Sequence, residues 1–167
     1  MKNRFMQIIV GTFLGLLMLF GGTQLVSAQD GEGQDSLEGV WRVRLRPRNC
    51  VTGVPIPTAE AEALLTYHKG GTLSSWAQNS TITITRSPSH GLWQREGGEG
   101  DYSFKFVHLR FDLATGAFLA SQVARGTLRL SGRGDEFTTD SSTASFDVNG
   151  VSLPGMGCAN AVGKRFE

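Results

Sequence analysis

The sequence predicts an all-β fold, namely a single eight-stranded antiparallel up-and-down barrel. Three observations carry this prediction. Polar and apolar residues alternate in short segments, turn residues separate the segments at hairpin-length spacing, and the first and last segments carry complementary residues. Alternation with a period of two is typical of strands with one solvated face. Eight such strands in sequence favour an up-and-down barrel or a sandwich.

The first strand is marked by Trp41, Val43 and Leu45, which alternate with arginines. The stretch RPRNCVTGVPIPT, which begins at Arg46, is predicted to be a loop because of its Pro, Asn and Gly content. Residues 78–86 fit either a strand extension or a long loop. The remaining strands are predicted over residues 61–68, 72–76, 90–96, 102–112, 118–130, 137–148 and 158–166.

The first 28 residues resemble a secretory signal peptide. Lys2 and Arg4 precede an apolar run over residues 8–20, and the small residues that end at Ala28 form a cleavage pattern. We therefore divide the chain into a signal peptide (1–28), a flexible leader (29–36) and one barrel domain (37–167). This division predicts an exported protein, periplasmic or extracellular, with no membrane span in its mature form and existing as a monomer or small homo-oligomer.

The charge balance argues against nucleic acid as a partner. Removing residues 1–28 takes Lys2 and Arg4 from the 16 basic residues and leaves all 15 acidic ones, so the formal charge becomes −1. Binding to nucleic acid or to an anionic membrane needs a basic footprint, which this balance does not supply.

Only two cysteines are present, Cys50 and Cys158. In an exported protein an even count usually means a disulfide. A bridge between them closes a loop of about 109 residues, which chain entropy values at about 4–5 kcal/mol before strain is subtracted. Metal ligation by two cysteines so far apart is the weaker reading.

The chain ends favour a barrel over a sandwich. In a closed meander with an even number of strands, the last strand runs antiparallel to the first. If Cys158 lies opposite Cys50, Trp41 and Arg165 fall at the same end of that pair, within about two residues of direct register. A sandwich does not require this coincidence.

Gly39, Trp41 and Arg165 resemble the signature of the calycin superfamily, which includes lipocalins, fatty-acid-binding proteins and avidins. In calycins a G-x-W opens the barrel and a late arginine packs across the indole, as a cation–π contact. The resemblance implies that these three residues close one end of a barrel with a ligand cavity. The T-D-Y motif of many lipocalins and the helix between their last two strands have no counterpart here, so the resemblance implies no specific ligand.

Six residues are candidates for the lining of that cavity. Alternation places five of them on one face of the longest strand, and the sixth lies on the next strand among small residues. They are Tyr102, Phe104, Phe106, His108, Arg110 and Gln122. A lined apolar cavity with a few polar groups is typical of small-molecule sites. The alternative is that the aromatic rings fill the barrel and leave no cavity.

These observations predict a protein that binds a small, largely apolar molecule in the barrel, without chemistry. The alternatives are a cyclase or isomerase of the type seen in allene oxide cyclase, and a non-catalytic module that binds through its surface. The sequence carries no hydrolase, zincin or phosphate-loop motif. The three histidines show no metal-site spacing, so we predict no catalytic residues, metal or cofactor. The arginines of the first strand are interpreted as a solvated face with acidic neighbours.

Overall fold

The computed structural model describes residues 36–57, 60–77 and 84–166. The predicted signal peptide, and all of the leader except Ser36, lie outside the described residues. No helix within these ranges is long and apolar enough to cross a membrane. Nine strands lie there: Gly39–Arg48 (β1), Ala61–His68 (β2), Thr72–Ala77 (β3), Ile84–Arg86 (β4), Ser89–Arg95 (β5), Asp101–Asp112 (β6), Phe118–Leu130 (β7), Glu136–Phe146 (β8) and Gly157–Arg165 (β9).

The barrel wall has eight strand positions, which we call staves. Two of the nine strands, β4 and β5, together occupy one stave. Both run antiparallel along the same edge of β6, β4 against its end and β5 against its earlier part. Pro88, which has no N–H, interrupts them. Ser87 bridges the break, because its Oγ accepts from the Leu109 N–H at 3.0 Å while its own N–H donates to the Leu109 carbonyl at 2.9 Å. Residues 84–86 are therefore a strand extension, and 78–83 lie outside the described residues.

The eight staves form a closed antiparallel barrel, as predicted. Each stave pairs with its neighbours in the chain, and β9 returns to pair with β1. In that closing ladder Trp41 is the direct partner of Arg165, and Arg48 is the partner of Cys158. Cys50 and Cys158 form a disulfide with Cα atoms 5.2 Å apart. Such a bond is typical of an oxidising environment.

The prediction that the chain becomes a loop at Arg46 is wrong, because β1 continues to Arg48. On one side it still pairs with β9, and Pro47 lies opposite Ala159. Within a strand, the N–H and C=O of one residue point to the same side. The Pro47 carbonyl accepts from the Ile56 N–H at 2.8 Å, so the missing proline donor faces the β1–β2 connection. Proline is tolerated there because it removes no hydrogen bond from the β9 ladder. The later strands begin and end within two residues of the predicted bounds.

Aromatic rings fill one end of the barrel interior, which we call the plugged end. Trp41 and Tyr67 each lie against Phe137, with ring centroids 4.8 and 6.1 Å apart. Trp93 links Tyr67 to Tyr102 by two further ring contacts. A Cβ atom at Gly163 would overlap the Phe137 ring, so the missing side chain on β9 makes room for the plug.

The two ends of the barrel carry different connections. The β2–β3, β5–β6 and β7–β8 turns lie at the plugged end and are short and rich in glycine. The β1–β2, β6–β7 and β8–β9 connections lie at the opposite end, which we call the loop end. Along β6, Tyr102 therefore lies near the plug and Arg110 near the loop end.

The disulfide gives a test of the closed ladder. We expect the double variant Cys50→Ser/Cys158→Ser to lose about 2–5 kcal/mol in the free energy of unfolding, because the open chain gains entropy when it unfolds. Urea denaturation of both proteins measures the difference. A reducing agent should destabilise the wild type and leave the double variant unchanged. If the wild type and the double variant are equally stable in the absence of reducing agent, the expectation is contradicted.

Candidate functional site

Arg165 covers the indole of Trp41 at the plugged end. Its guanidinium carbon lies 4.3 Å from the centre of the ring system. Its nitrogens also donate to three backbone carbonyls, those of Ser36 and Glu38 at 2.7 Å and that of Gly134 at 2.8 Å. One side chain thus ties together the residues before β1, the β7–β8 turn and β9. The three residues that the calycin resemblance implies as the closure lie together.

Gly39 has a structural reason to precede Trp41 by two residues. Its φ is +126°, which residues with a side chain rarely adopt, and an added Cβ would lie 2.9 Å from Nη1 of Arg165. The indole Nε1 donates to the carbonyl of Leu37 at 2.9 Å. The G-x-W spacing therefore leaves room for the Arg165 guanidinium above the Trp41 indole.

The arginines of β1 point outward and meet carboxylates, as the alternation predicts. Arg42 pairs with Glu62, and Arg44 and Arg46 both pair with Glu60. Arg48 donates to Asp140 at 2.7 Å. Exposed pairs of this kind contribute about 0–1 kcal/mol each. This stripe is a solvated face whose charges are largely neutralised.

The candidate residues of β6 share the inward face, and the structure distributes them along the barrel axis. Tyr102 is buried in the plug against Trp93, with ring centroids 5.6 Å apart. Phe104 and Phe106 follow and stack on each other at 5.9 Å with nearly parallel planes. The polar candidates lie beyond them towards the loop end: His108, Arg110, and Gln122, which is the cross-strand partner of His108.

A cavity of about 80 Å³ lies in the middle of the barrel. Phe104 and Phe106 form part of its wall, whereas the other four candidates do not line it. Most of the wall is apolar, and its polar members are Tyr67, Ser75, Arg86, Thr139 and Ser141. The Tyr67 hydroxyl has no hydrogen-bond partner, and burial raises its pKa. The interior is therefore packed at the plugged end and incompletely filled further along.

His108 is a buried histidine whose polar neighbour is the Gln122 side chain. It is 4% exposed, and neither ring nitrogen forms a hydrogen bond of good geometry. Burial, and then the charges of Arg86 and Arg110, lower the pKa of His108 to about 4, while Gln122 acts in the opposite direction. The imidazole is therefore neutral at neutral pH.

Two arginines face each other across the β4–β6 pair beside this histidine. Arg86 and Arg110 are direct cross-strand partners. Arg86 donates from Nη2 to Ser89 at 3.0 Å, whereas its buried Nε has no partner. Burial and the charge of Arg110 both lower the pKa of Arg86. Within the described ranges, neither arginine forms an ion pair with a carboxylate.

Arg86 is the site residue that the sequence analysis missed. It is the last residue of the segment 78–86, whose structure the alternation left open between strand and loop. The signal that could have found it is the run TITITR, in which Ile82, Ile84 and Arg86 occupy alternate positions. The other two histidines lie apart from the site: His68 bonds to Ser74, and His90 is exposed on β5.

Comparison of the chain with protein-family models gives no match, and comparison with curated proteins gives none either. The geometry of the barrel and its interior therefore carries the functional argument.

The closure contact predicts a specific loss of stability. We expect Arg165→Ala to lower the free energy of unfolding by about 2–4 kcal/mol, because three carbonyls lose a charged donor and the indole loses its cation. Urea denaturation measures the loss. Arg133→Ala is the matched control, since Arg133 is exposed and forms only a 3.6 Å pair with Asp135. Losses of equal size in the two variants would show that the contact does not stabilise the closure.

The environment of His108 predicts a pH dependence. Its folded pKa of about 4 lies below the unfolded value of 6.5, so the unfolded chain binds the proton more tightly. Stability should therefore fall as the pH drops from 6.5 to 4, and His108 contributes up to about 3 kcal/mol of that fall. We expect His108→Gln to remove this contribution, whereas the exposed His90→Gln should retain it. The expectation is contradicted if the difference in free energy of unfolding between the wild type and His108→Gln stays constant from pH 6.5 to 4.

Proposed function

We propose that the protein is an exported binding protein that holds a small, largely apolar molecule inside its barrel. One observation carries the proposal, namely the cavity between the plug and the loop end. The chain fills the plugged end with rings but leaves about 80 Å³ beside Phe104 and Phe106. The cavity wall also includes alanines, at Ala63, Ala124 and Ala161, where larger side chains would fill the space.

An unfilled cavity reduces stability, which supports a role for it. Cavities destabilise proteins by about 24 cal/mol per Å³, so this one costs about 2 kcal/mol when empty. A single larger aliphatic residue at one of the alanines would recover part of that energy. Retaining the cavity is understandable if a ligand occupies it and supplies the missing contacts.

The volume limits the ligand. The cavity is about half the size of an engineered apolar cavity of about 150 Å³ that binds benzene. It is also smaller than drug-sized pockets of about 300–1,000 Å³. A molecule of a few heavy atoms fits the space as it stands. A larger one requires Phe106, the less buried of the two stacked rings, to move.

The export part of the proposal rests on two supports. The disulfide between Cys50 and Cys158 is typical of an oxidising compartment. The N-terminal pattern that ends at Ala28 supplies the expected signal for secretion.

Xenon tests the cavity, because it binds dry apolar cavities without needing polar contacts. NMR spectra recorded under xenon pressure should show shifts at Phe104, Phe106 and Ala124, and Ala124→Leu should abolish them. Ala144→Leu, the same change on the outward face of β8, is the control and should retain them. Native mass spectrometry of protein from its own host should then reveal a co-purified small molecule. Absence of both the shifts and a co-purified molecule would refute the proposal.

A further inference from the structure

We propose that the molecule held in the barrel is a small monoanion, with an apolar body in the cavity and a carboxylate-like group bound by Arg86, His108 and Arg110. This inference rests on the proposed function, since it describes the ligand of the same cavity. It specifies the charge of the ligand, its orientation and the residues that contact the charged end.

The first support is the unbalanced charge. Arg86 and Arg110 are direct cross-strand partners on the inward face, and each lowers the pKa of His108. Two like charges directly opposite each other destabilise a sheet. The arginines on the outside of β1 all meet carboxylates, whereas this inward pair meets none among the described residues. A bound anion would supply the missing negative charge.

The second support is the shortage of hydrogen-bond acceptors around Arg86 and His108. Arg86 Nε is buried without a hydrogen-bond partner, and the ring nitrogens of the buried His108 form no hydrogen bond of good geometry, with the Gln122 side chain as their polar neighbour. A buried polar group left unpaired is unfavourable, so such groups in a native protein require an explanation. Arginine is suited to carboxylates because its planar guanidinium can donate two parallel hydrogen bonds. A carboxylate-like group beside these donors would accept from Arg86, and it would compete with Gln122 for the N–H of the neutral imidazole.

The third support is continuity between the charged group and the apolar space. Arg86 itself lines the cavity, together with Phe104 and Phe106. His108 and Arg110 follow the two phenylalanines on the same face of β6, towards the loop end. One molecule can therefore place its apolar part against the rings while its charged end reaches the arginines. A neutral ligand would leave the two guanidinium charges uncompensated.

A pair of probes with the same chain length separates charge from shape. Butyrate and 1-butanol each carry four carbons and differ in the charge of the polar end. We expect wild-type protein to bind butyrate about 10- to 100-fold more tightly than 1-butanol, as measured by NMR titration at neutral pH. Butyrate should also raise the pKa of His108 from about 4, because the bound anion offsets the arginine charges.

Variants assign the preference to these residues. Arg110→Met and Arg86→Met should each remove most of the preference for butyrate and leave 1-butanol binding in place. Arg125→Met, on the outward face of β7, is the control and should retain the preference. The melting temperature Tm of Arg110→Met without ligand should equal or exceed that of the wild type, because the variant removes a like-charge contact. A large fall in Tm would instead show that Arg110 supports the fold.

The outcomes distinguish the two proposals. Binding of 1-butanol or xenon in the cavity without any preference for butyrate would overturn the anion site and leave the apolar binding function standing. Failure of every probe to bind would overturn both. A butyrate preference that survives in both Arg86→Met and Arg110→Met would also overturn the anion site, because the charge would then be recognised elsewhere.

Discussion

The pairing of β1 with β9 is the constraint on which the rest of the structure depends. It converts a meander of antiparallel strands into a closed wall, so that alternate residues on every stave must face the interior. Two side-chain connections hold the pair near its ends: Arg165 above Trp41 at one end, and the Cys50–Cys158 disulfide at the other. Among the described residues, closure leaves only the short β4 paired on one side, so little free strand edge remains to promote aggregation.

Closure imposes an order on the interior from one end to the other. Large rings occupy the plugged end, where Gly163 leaves space for Phe137. Small side chains and the stacked Phe104 and Phe106 surround the cavity in the middle. Beyond them lie charged and amide groups near the loop end. The alternation along β6 alone carries this order, because Tyr102 belongs to the plug and Arg110, eight residues further along the same face, belongs to the polar group.

The alternating pattern predicts most of the fold because the barrel wall obeys a period of two almost everywhere. The same reasoning brings Trp41 within about two residues of Arg165, and the structure makes them direct partners. It fails at Pro47, since whether proline ends a strand depends on which neighbour its missing donor faces. It also misses Arg86, because Pro88 breaks the stave and hides its register with β6. The size of the cavity could not be predicted, since it depends on how rings from facing staves settle against each other.

The same ladder determines when the barrel can form during synthesis. The cross-strand partner of Trp41 lies 124 residues later in the chain, so almost every other stave precedes it. Until β9 appears, β1 and β8 each present a strand edge without a neighbour, and the indole of Trp41 has no cation above it. Contacts so distant in sequence are typical of slow folding, because the chain must be ordered over its whole length before the last pairing stabilises it. The final nine-residue strand thus acts as the completing step, and a chain that stops short of it remains an open, aggregation-prone sheet.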